Sequence, residues 1–250
     1  MTAARFETSR DPVFERVLVI IPVRNEQDTL AGVIGQLQAI GLQHIRVVDN
    51  GSSDASAAVA SAAGAELVRE PEAGYGRACW RGLMQLPETI EWILFCDGDG
   101  SDDLASIAGW SPLLAGHDLI LGNRAATAAG RRALTPVQRF GNRLATRLIR
   151  LGWGHRFHDL GPLRLVRRRS LEALGLRDRG FGWTIEMQVR AVEAGLRICE
   201  PPVPHHPRRG GRSKISGTVV GSLRAGAAIL GTLGRLYGER RRRRLRHGAA

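Results

Sequence analysis

Short apolar runs alternate with helical patterns through the first half of the chain. The run at 16–21 is followed by apolar residues at three- and four-residue spacing from Leu30 to Leu37, which is the period of a helix buried on one face. Apolar strands separated by helices are typical of βαβ units on a parallel sheet. The pattern predicts an α/β fold, with further strands at 44–48, 65–69, 92–96 and 117–121.

The second half is less regular but continues the pattern. Helices are predicted over about 136–151 and 183–194, and strands near 163–166 and 196–199. The last of these runs leads into PPVPHHP, which fits neither a helix nor a central strand because proline lacks a backbone donor. With 250 residues and 43% apolar residues, the chain can bury the core of one large or two small domains, which excludes a wholly disordered protein.

Positive charge is concentrated at the C-terminus. Of the 36 basic residues only Lys214 is a lysine, and the net charge is +12. Residues 201–250 contain twelve basic residues but a single acid, Glu239, so the first 200 residues are nearly neutral. We therefore expect a balanced globular body that carries a basic C-terminal segment.

Cysteine usage and the apolar segments indicate the compartment. The three cysteines form no C-x-x-C pair, which favours a reducing compartment. No apolar run precedes residue 17, so a signal peptide is not expected. Together these features predict a cytosolic body. Residues 218–237 are interrupted by Arg224 and Arg235, whereas a membrane span needs about 20 apolar residues in a row. This stretch is expected to lie on a membrane surface or to pack on the body.

Two carboxylates directly follow the apolar run at 92–96. Asp97 and Asp99 are separated by Gly98, so both can face the same side and bind a hard divalent cation through oxygen ligands. The alternative is a solvated acidic turn in which Asp102 and Asp103 cap a helix.

Two other predicted strands also end in polar turns. The first ends in PVRNE at 22–26 and the second in DNGSSD at 49–54, and each taken alone is a turn or helix cap. Because open α/β sheets bind ligands at the carboxyl ends of their strands, the three turns together predict one site at that edge.

In this order, PVRNE, DNGSSD and DGDG resemble the nucleotide-sugar half of family 2 glycosyltransferases with the GT-A fold. The resemblance continues through LGNR at 121–124, DLGPLR at 159–164 and GWTIEMQ at 182–188 to R-x-G-x-S-K at 209–214. It covers roughly residues 16–220 and is greatest for the polyprenyl-phosphate sugar transferases. It implies a mostly parallel sheet with flanking helices. The implied division is an N-terminal extension at 1–15, a GT-A domain at 16–216 with a nucleotide-sugar half (16–124) and an acceptor half (125–216), and an amphipathic helix with a polybasic tail at 217–250.

The resemblance also implies roles for individual residues. The residues implied to bind the nucleotide sugar are Pro22, Arg24, Glu26, Asp49, Gly51, Asp97, Gly98, Arg124, Arg209 and Ser213. Mg²⁺ or Mn²⁺ would be bound by Asp97, Asp99 and His206, although a histidine beside prolines is more often structural. The acceptor phosphate would meet Arg131, Arg139 and Arg164. Lys214 would stabilise charge on the departing diphosphate, the alternative being a solvated basic face.

Two departures from the dolichol-phosphate mannose type bear on the donor. That type commonly has DADGQ where this chain has DGDGS, so Ser101 replaces a glutamine, and it has S-G-F-R where this chain has GPLR at 161–164. These differences favour UDP-glucose or another UDP-hexose over GDP-mannose.

The acceptor decides whether a base is needed. A hydroxyl must lose its proton during attack, and Glu186 and Asp159 are then the candidate bases. The alternative for Glu186 is a carboxylate that stabilises the start of a helix, and the alternative for Asp159 is a role in ordering the acceptor loop. A lipid monophosphate arrives already ionised and needs no base. We therefore expect metal-dependent, inverting hexose transfer to a polyprenyl phosphate. The alternatives are transfer to a hydroxyl of a soluble molecule or glycan, and a non-catalytic nucleotide-sugar-binding or membrane scaffold.

The C-terminal segment suggests partners. Small and apolar residues before the run at 239–246 resemble an interfacial helix with a polybasic anchor, the alternative being a solvated tail. The run lacks aromatic interleaving, so nucleic-acid binding is not expected. We expect a cytoplasmic protein that is peripheral at the inner face of the cell membrane, and a homodimer is possible.

Overall fold

A seven-stranded sheet forms the centre of the molecule. The structure, a computed structural model, describes residues 11–207 and 219–247. The strands are β1 (Val17–Val23), β2 (His44–Asp49), β3 (Glu66–Arg69), β4 (Trp92–Phe95), β5 (Leu119–Leu121), β6 (Arg164–Arg167) and β7 (Ile198–Cys199), in the spatial order β3-β2-β1-β4-β6-β5-β7.

All neighbouring strands pair in parallel except those that involve β6. This strand is antiparallel to both β4 and β5, with Leu94 and Ile120 opposite Leu165. The predicted α/β class with a mostly parallel sheet is confirmed. Because β6 lies between β4 and β5, strands from both predicted halves share one sheet.

Helices cover the two faces of the sheet. They are α1 (Leu30–Ala39), α2 (Ser56–Ala62), α3 (Tyr75–Gly82), α4 (Ala128–Ala133), α5 (Pro136–Trp153), α6 (Arg168–Ala173), α7 (Trp183–Glu193) and α8 (Val219–His247), with 3-10 turns at Pro12–Arg16, Leu104–Leu113 and Arg124–Ala126. One apolar core lies between the sheet and α1, and a second between the opposite face and α3, α5, α7 and α8.

Local sequence sets the bounds of α5. Thr135 caps its first turn in a reciprocal capping box with Gln138, Pro136 occupies the first helical position, and Gly154 ends the helix with a φ of 77°. Glycine is favoured there because a left-handed backbone conformation carries no side-chain penalty for it.

The last helix extends further than the sequence analysis predicted. The basic run at 240–244 is part of α8 rather than a tail beyond it. Leu233 and Leu236 are buried against the body, and the guanidinium of Arg240 stacks 5.5 Å from the centre of the Trp153 ring. The apolar contacts of this part of α8 are therefore made with the protein's own helices.

A ladder of ion pairs joins α8 to α7. Arg235 contacts Glu186 at 2.8 Å and Glu239 at 3.0 Å, and Arg190 bridges Glu239 and Glu193. Within residues 11–207 and 219–247, no helix is both long enough and apolar enough to cross a membrane.

Candidate active site

The predicted polar turns meet at the carboxyl edge of the sheet. Strands β1, β2 and β4 are adjacent and parallel, and Val23 pairs with Asp49. The turns after these three strands therefore emerge side by side, as the sequence pattern predicted.

The turns after β1 and β2 are tied together by hydrogen bonds. The backbone N–H of Asn25 donates to Ser52 Oγ at 2.9 Å, and that of Glu26 donates to Ser56 Oγ at 2.8 Å. Asn25 has a φ of 55°, a conformation that asparagine tolerates better than most residues. Five residues predicted to bind the nucleotide sugar are grouped here: Pro22 and Asp49 lie near the ends of β1 and β2, and Arg24, Glu26 and Gly51 lie in the turns that follow.

Asp49 is held in a defined orientation at the end of β2. Its Oδ1 accepts the backbone N–H of Ser52 at 2.9 Å, while the side chain is only partly buried. Gly51 has a φ of 76° and open space where a Cβ would lie. The turn thus presents a carboxylate beside an uncrowded stretch of backbone.

The acidic turn after β4 is pre-organised by its own side chains. Asp99 Oδ1 accepts the Ser101 backbone N–H at 2.9 Å and the Ser101 hydroxyl at 2.6 Å, and Asp102 Oδ2 accepts the Asp97 N–H at 3.1 Å. A Cβ at Gly98 would lie 3.1 Å from Val23, so the turn packs tightly on β1. Ser101, which replaces the family glutamine, orients the carboxylate of Asp99.

A histidine pair lies beside this turn, and its two members differ in position. The backbone N–H of His206 donates to Ser101 O at 2.9 Å, but its imidazole Nε2 lies 3.6 Å from Asp103 Oδ1. The ring of His206 thus lies beside Asp103, and its role as a metal ligand stays a prediction.

His205 is the histidine whose ring lies within the electrostatic reach of Asp99. Burial, and then the charge of Arg124, lower the pKa of His205 to about 4, against the opposing effect of Asp99 and Asp159. Its Nδ1 is buried without a hydrogen-bond partner among the described residues. A neutral imidazole with an unused nitrogen suits a metal ligand.

These groups fit an open metal site. In the described part of the chain, no cluster of three or more histidine, cysteine or acidic residues forms a closed cation site. Mg²⁺ and related cations are commonly held by one or two carboxylates and completed by substrate phosphates and water. The oriented Asp99 and the orphan nitrogen of His205 are consistent with that arrangement.

Arg124 and Asp159 form a buried, bidentate ion pair after β5. Arg124 Nε and Nη2 donate to the two carboxylate oxygens at 2.8 and 2.9 Å, and the Arg124 and Leu160 backbone N–H groups donate to the same carboxylate. Burial raises the pKa of Asp159, but Arg124 outweighs it and keeps that pKa below its usual value. Asp159 is 1% exposed and anchors Arg124, the ordering role that the sequence left open beside that of a base, and the role as a base stays a prediction.

Glu186, the second candidate base, is also engaged by partners inside the protein. It is fully buried on α7, where Oε2 accepts the backbone N–H groups of Arg177 and Asp178 at 2.8 and 2.6 Å, and Oε1 accepts from Arg235 at 2.8 Å. Both oxygens are engaged away from solvent, so Glu186 joins α7, the preceding loop and α8.

The three predicted acceptor arginines are in different environments. Arg164 is 1% exposed and donates to the carbonyls of Gly161, Pro162 and Thr184, so it braces the 161–164 turn and does not face an acceptor. Arg131 and Arg139 are exposed, on α4 and in the first turn of α5. The predicted phosphate-loop residues Arg209, Ser213 and Lys214 lie outside the described residues.

One organising residue was missed by the sequence reasoning. Buried Asn50 donates to the carbonyls of Glu70 and Glu72 at 2.9 and 2.7 Å and accepts the Gly74 N–H at 2.8 Å. It thereby ties the Asp49 turn to the loop before α3. Its position directly after a strand-ending aspartate was the available signal.

Comparison with known proteins agrees with this geometry. The model of the family described as Glycosyl transferase family 2 matches residues 18–175, more than half of the chain. An uncharacterised glycosyltransferase of Mycobacterium tuberculosis is 37% identical over 210 residues, covering 84% of this chain and 94% of the relative. The polyprenol monophosphomannose synthase of Mycolicibacterium smegmatis is 30% identical over 238 residues, covering 89% of each.

A solved structure shares the fold. Glucosyl-3-phosphoglycerate synthase of Mycobacterium tuberculosis, in complex with Mn²⁺, UDP-glucose and phosphoglyceric acid, superposes with a TM-score of 0.66 at 22% identity, covering 87% of this chain and 79% of that one. The fold is thus that of GT-A glycosyltransferases. The chain belongs to glycosyltransferase family 2, and it is an enzyme related to the polyprenyl-phosphate sugar transferases.

Proposed function

We propose that the enzyme transfers a hexose, glucose from UDP-glucose, to a polyprenyl phosphate with inversion at the anomeric carbon. The observation that carries this proposal is the engagement of both candidate bases: every carboxylate oxygen of Glu186 and Asp159 accepts hydrogen bonds inside the protein. A hydroxyl acceptor needs a base, whereas a phosphate monoester is already ionised near pH 7.

The donor would lie along the carboxyl edge of the sheet. Asp49 is oriented to accept a hydrogen bond from the nucleobase of the donor. The adjacent turn of Asp97 and Asp99 would hold Mg²⁺ or Mn²⁺ with the diphosphate. When bound, the ion stabilises the negative charge that develops on the departing nucleotide. The Mn²⁺ in the structural neighbour supports a divalent cation here.

Arg124 is positioned to act on the same charge. Asp159 holds its guanidinium near the acidic turn, where the charges of Asp102 and Asp97 act on it. A fixed cation needs little reorganisation when charge develops, which is how pre-organised sites lower barriers. We assign Arg124 to the sugar diphosphate and Asp159 to holding it in place.

The surface beyond β5 supports a lipid acceptor. Val137 and Phe140 are 59% and 69% exposed in the first turns of α5, next to Arg139 and near Arg131 on α4. An exposed apolar pair flanked by arginines suits a molecule that joins a phosphate to a hydrocarbon chain. The named function of the relative from Mycolicibacterium smegmatis, a polyprenol monophosphomannose synthase, supports the same acceptor class.

We further propose that the protein is peripheral at the inner face of the cell membrane. The exposed arginines at 241–244 of α8 and the exposed face of α5 would supply the contacts with anionic lipid. A membrane position would bring the active site to its lipid acceptor. A homodimer remains a prediction.

The test is a transfer assay with three acceptor arms. Purified protein is incubated with Mn²⁺ and labelled UDP-glucose, together with undecaprenyl phosphate in detergent, with 3-phosphoglycerate, or with no acceptor. We expect organic-extractable label in the first arm, reduced at least about 100-fold by Asp99→Ala but not by the neighbouring Asp103→Asn.

The arms separate the alternatives. Transfer only to 3-phosphoglycerate would establish the soluble hydroxyl acceptor, which the bound phosphoglyceric acid of the structural neighbour makes the second candidate. Parallel reactions with GDP-mannose test the donor. Lipid-linked mannose without lipid-linked glucose would overturn the choice of UDP-glucose and leave the lipid acceptor intact.

A further inference from the structure

A basic cleft lies between the ends of α7 and α8, outside the site described above. It encloses about 560 Å³, within the range of small-molecule sites. Among the described residues, five arginines converge on it from three segments of the chain: Arg177, Arg190, Arg242, Arg243 and Arg246.

The cleft is at the opposite edge of the sheet from the acidic turns. Helix α8 runs in the same direction as α7, because Arg235 pairs with Glu186 and, further along both helices, Arg243 pairs with Glu193. Helix α7 then leads through Gly195 into the start of β7, which is parallel to β5. The cleft therefore lies where parallel strands begin, and Asp97 and Asp99 lie where they end.

The two glutamates that line the cleft, Glu193 and Glu239, already form ion pairs with arginines. Glu239 accepts from Arg190 and Arg235, and Glu193 accepts from Arg190 and lies 3.5 Å from Arg243. Two carboxylates therefore face five lining guanidinium groups. The C-terminal ends of α6, α7 and α8 add about half a negative charge each, which still leaves a positive excess.

Three of the lining arginines have no acidic partner. Within the described residues, the guanidinium groups of Arg177, Arg242 and Arg246 make no ion pair, whereas Arg190 is clamped by two glutamates and is only 7% exposed. Like charges that converge on a concave surface repel one another unless an anion neutralises them. The clamped Arg190 supplies a rigid floor, and the other arginines supply donors around it.

We propose that this cleft binds a small ligand with two or more negative charges on phosphate. Guanidinium groups bind phosphate oxygens through paired hydrogen bonds, which a single lysine cannot supply. The phosphate can belong to a soluble phosphorylated molecule or to an anionic lipid headgroup. The ligand would also join the last turns of α8 to α7, and the proposal is independent of the donor and acceptor proposed above.

The neighbouring arginines of α8 provide a matched control. Arg242→Glu combined with Arg246→Glu reverses two charges inside the cleft, while Arg241→Glu combined with Arg244→Glu reverses two exposed charges in the same segment that do not line it. Both double variants change the net charge equally, so a difference between them reports on the cleft. Circular dichroism and sugar-nucleotide turnover confirm that each variant is folded.

Pyrophosphate and vesicles distinguish the two sources of phosphate. Pyrophosphate binding is measured by calorimetry in EDTA at about 0.15 M salt, and vesicle binding by co-sedimentation with vesicles that contain cardiolipin, whose headgroup carries two phosphates. With pyrophosphate, we expect at least about tenfold weaker binding in the cleft variant and less than about twofold change in the control variant. With vesicles, both variants lose part of the general attraction of α8 to anionic lipid, so a headgroup in the cleft requires a loss at least about tenfold greater in the cleft variant than in the control variant. If the cleft variant binds pyrophosphate more weakly than the control variant, the ligand is a soluble phosphorylated molecule. If the two variants differ only in vesicle binding, the ligand is a lipid headgroup. Equal losses in both variants, or no binding of either probe to the wild type, would overturn the proposal.

Discussion

The guanidinium of Arg124 meets the carboxylate of Asp159 through two nearly parallel hydrogen bonds, at 2.8 and 2.9 Å, in a site where Asp159 is 1% exposed. Arg124 follows β5 and Asp159 comes before β6, and neither of the motifs LGNR and DLGPLR indicates that they pair. The pair fixes a cation beside the acidic turn that follows β4.

Asp159→Asn is expected to destabilise the protein by about 3–5 kcal/mol, because it leaves the buried cation of Arg124 without a counter-charge. Urea unfolding at pH 7 measures the change. Asp118→Asn is the control: its partner Arg197 is half exposed, so a much smaller loss is expected. Unchanged stability of Asp159→Asn would show that Asp159 does not anchor Arg124.

The stabilisation from Asp159 should depend on pH in one direction. The folded-state pKa of its carboxyl lies below the unfolded value near 3.8, so the stabilisation is fully present above about pH 5 and is lost as the pH falls through the folded pKa. The stability gap between wild type and Asp159→Asn should therefore be constant from pH 5 to 8 and narrow below pH 4. A gap that changes between pH 6 and 8 would show that another group is responsible.

Glu186→Gln should act on stability rather than on chemistry. The amide cannot accept from two backbone N–H groups and Arg235 as the carboxylate does, and the predicted loss is about 3 kcal/mol. A double-mutant cycle with Arg235→Met should show a coupling of about 1–3 kcal/mol. Turnover per folded molecule should fall less than about tenfold, and a much larger fall with an altered pH profile would indicate a base.

Gly182→Ala tests the contact between α7 and α8. A Cβ at this position would lie 2.0 Å from Thr232 Oγ1 and 2.1 Å from Asp178 Oδ2, atoms that bond each other at 2.7 Å. Overpacking should destabilise the protein by about 1–3 kcal/mol. Gly231→Ala, which meets nothing within 4 Å on α8, should be neutral or stabilising. Thermal unfolding of both variants gives the comparison.

Asp99→Asn should weaken the binding of the divalent cation more than the binding of the nucleotide donor. The Ser101 hydrogen bonds can persist on the amide oxygen, but the ligand charge is lost. We expect the Mn²⁺ concentration for half-maximal turnover to rise at least about tenfold, with a smaller change in metal-free binding of UDP. An unchanged Mn²⁺ titration would remove Asp99 from the metal site.

The sheet and its acidic edge could be predicted because they depend on local patterns. Apolar runs and the polar turns after them identify β1, β2 and β4, and parallel pairing then brings the turns together. The insertion of β6 between β4 and β5 could not be predicted, because four-residue strands leave the pairing partner and its direction open.

The roles of charged side chains were harder to predict because they depend on distant partners. Glu186 accepts from Arg235, 49 residues further along, and Arg164 is buried among backbone carbonyls that no motif marks. His205 and His206 are adjacent, so a shift of one residue along an extended segment decides which ring faces Asp99. The sequence pattern does not indicate which of the two histidines is buried, and in the structure it is His205.

Glu186 and Arg235 are 49 residues apart in the sequence, which affects folding while the chain is being synthesised on the ribosome. The polar turns after β1, β2 and β4 follow strands that are complete early in translation, whereas the buried carboxylate of Glu186 and the adjoining faces of α5 and α7 wait for residues 233–236. A nascent chain that stops before that point exposes an apolar face with an uncompensated charge, which is a surface that chaperones bind. The last helix therefore sets the time at which the layer of α5 and α7 can finish folding.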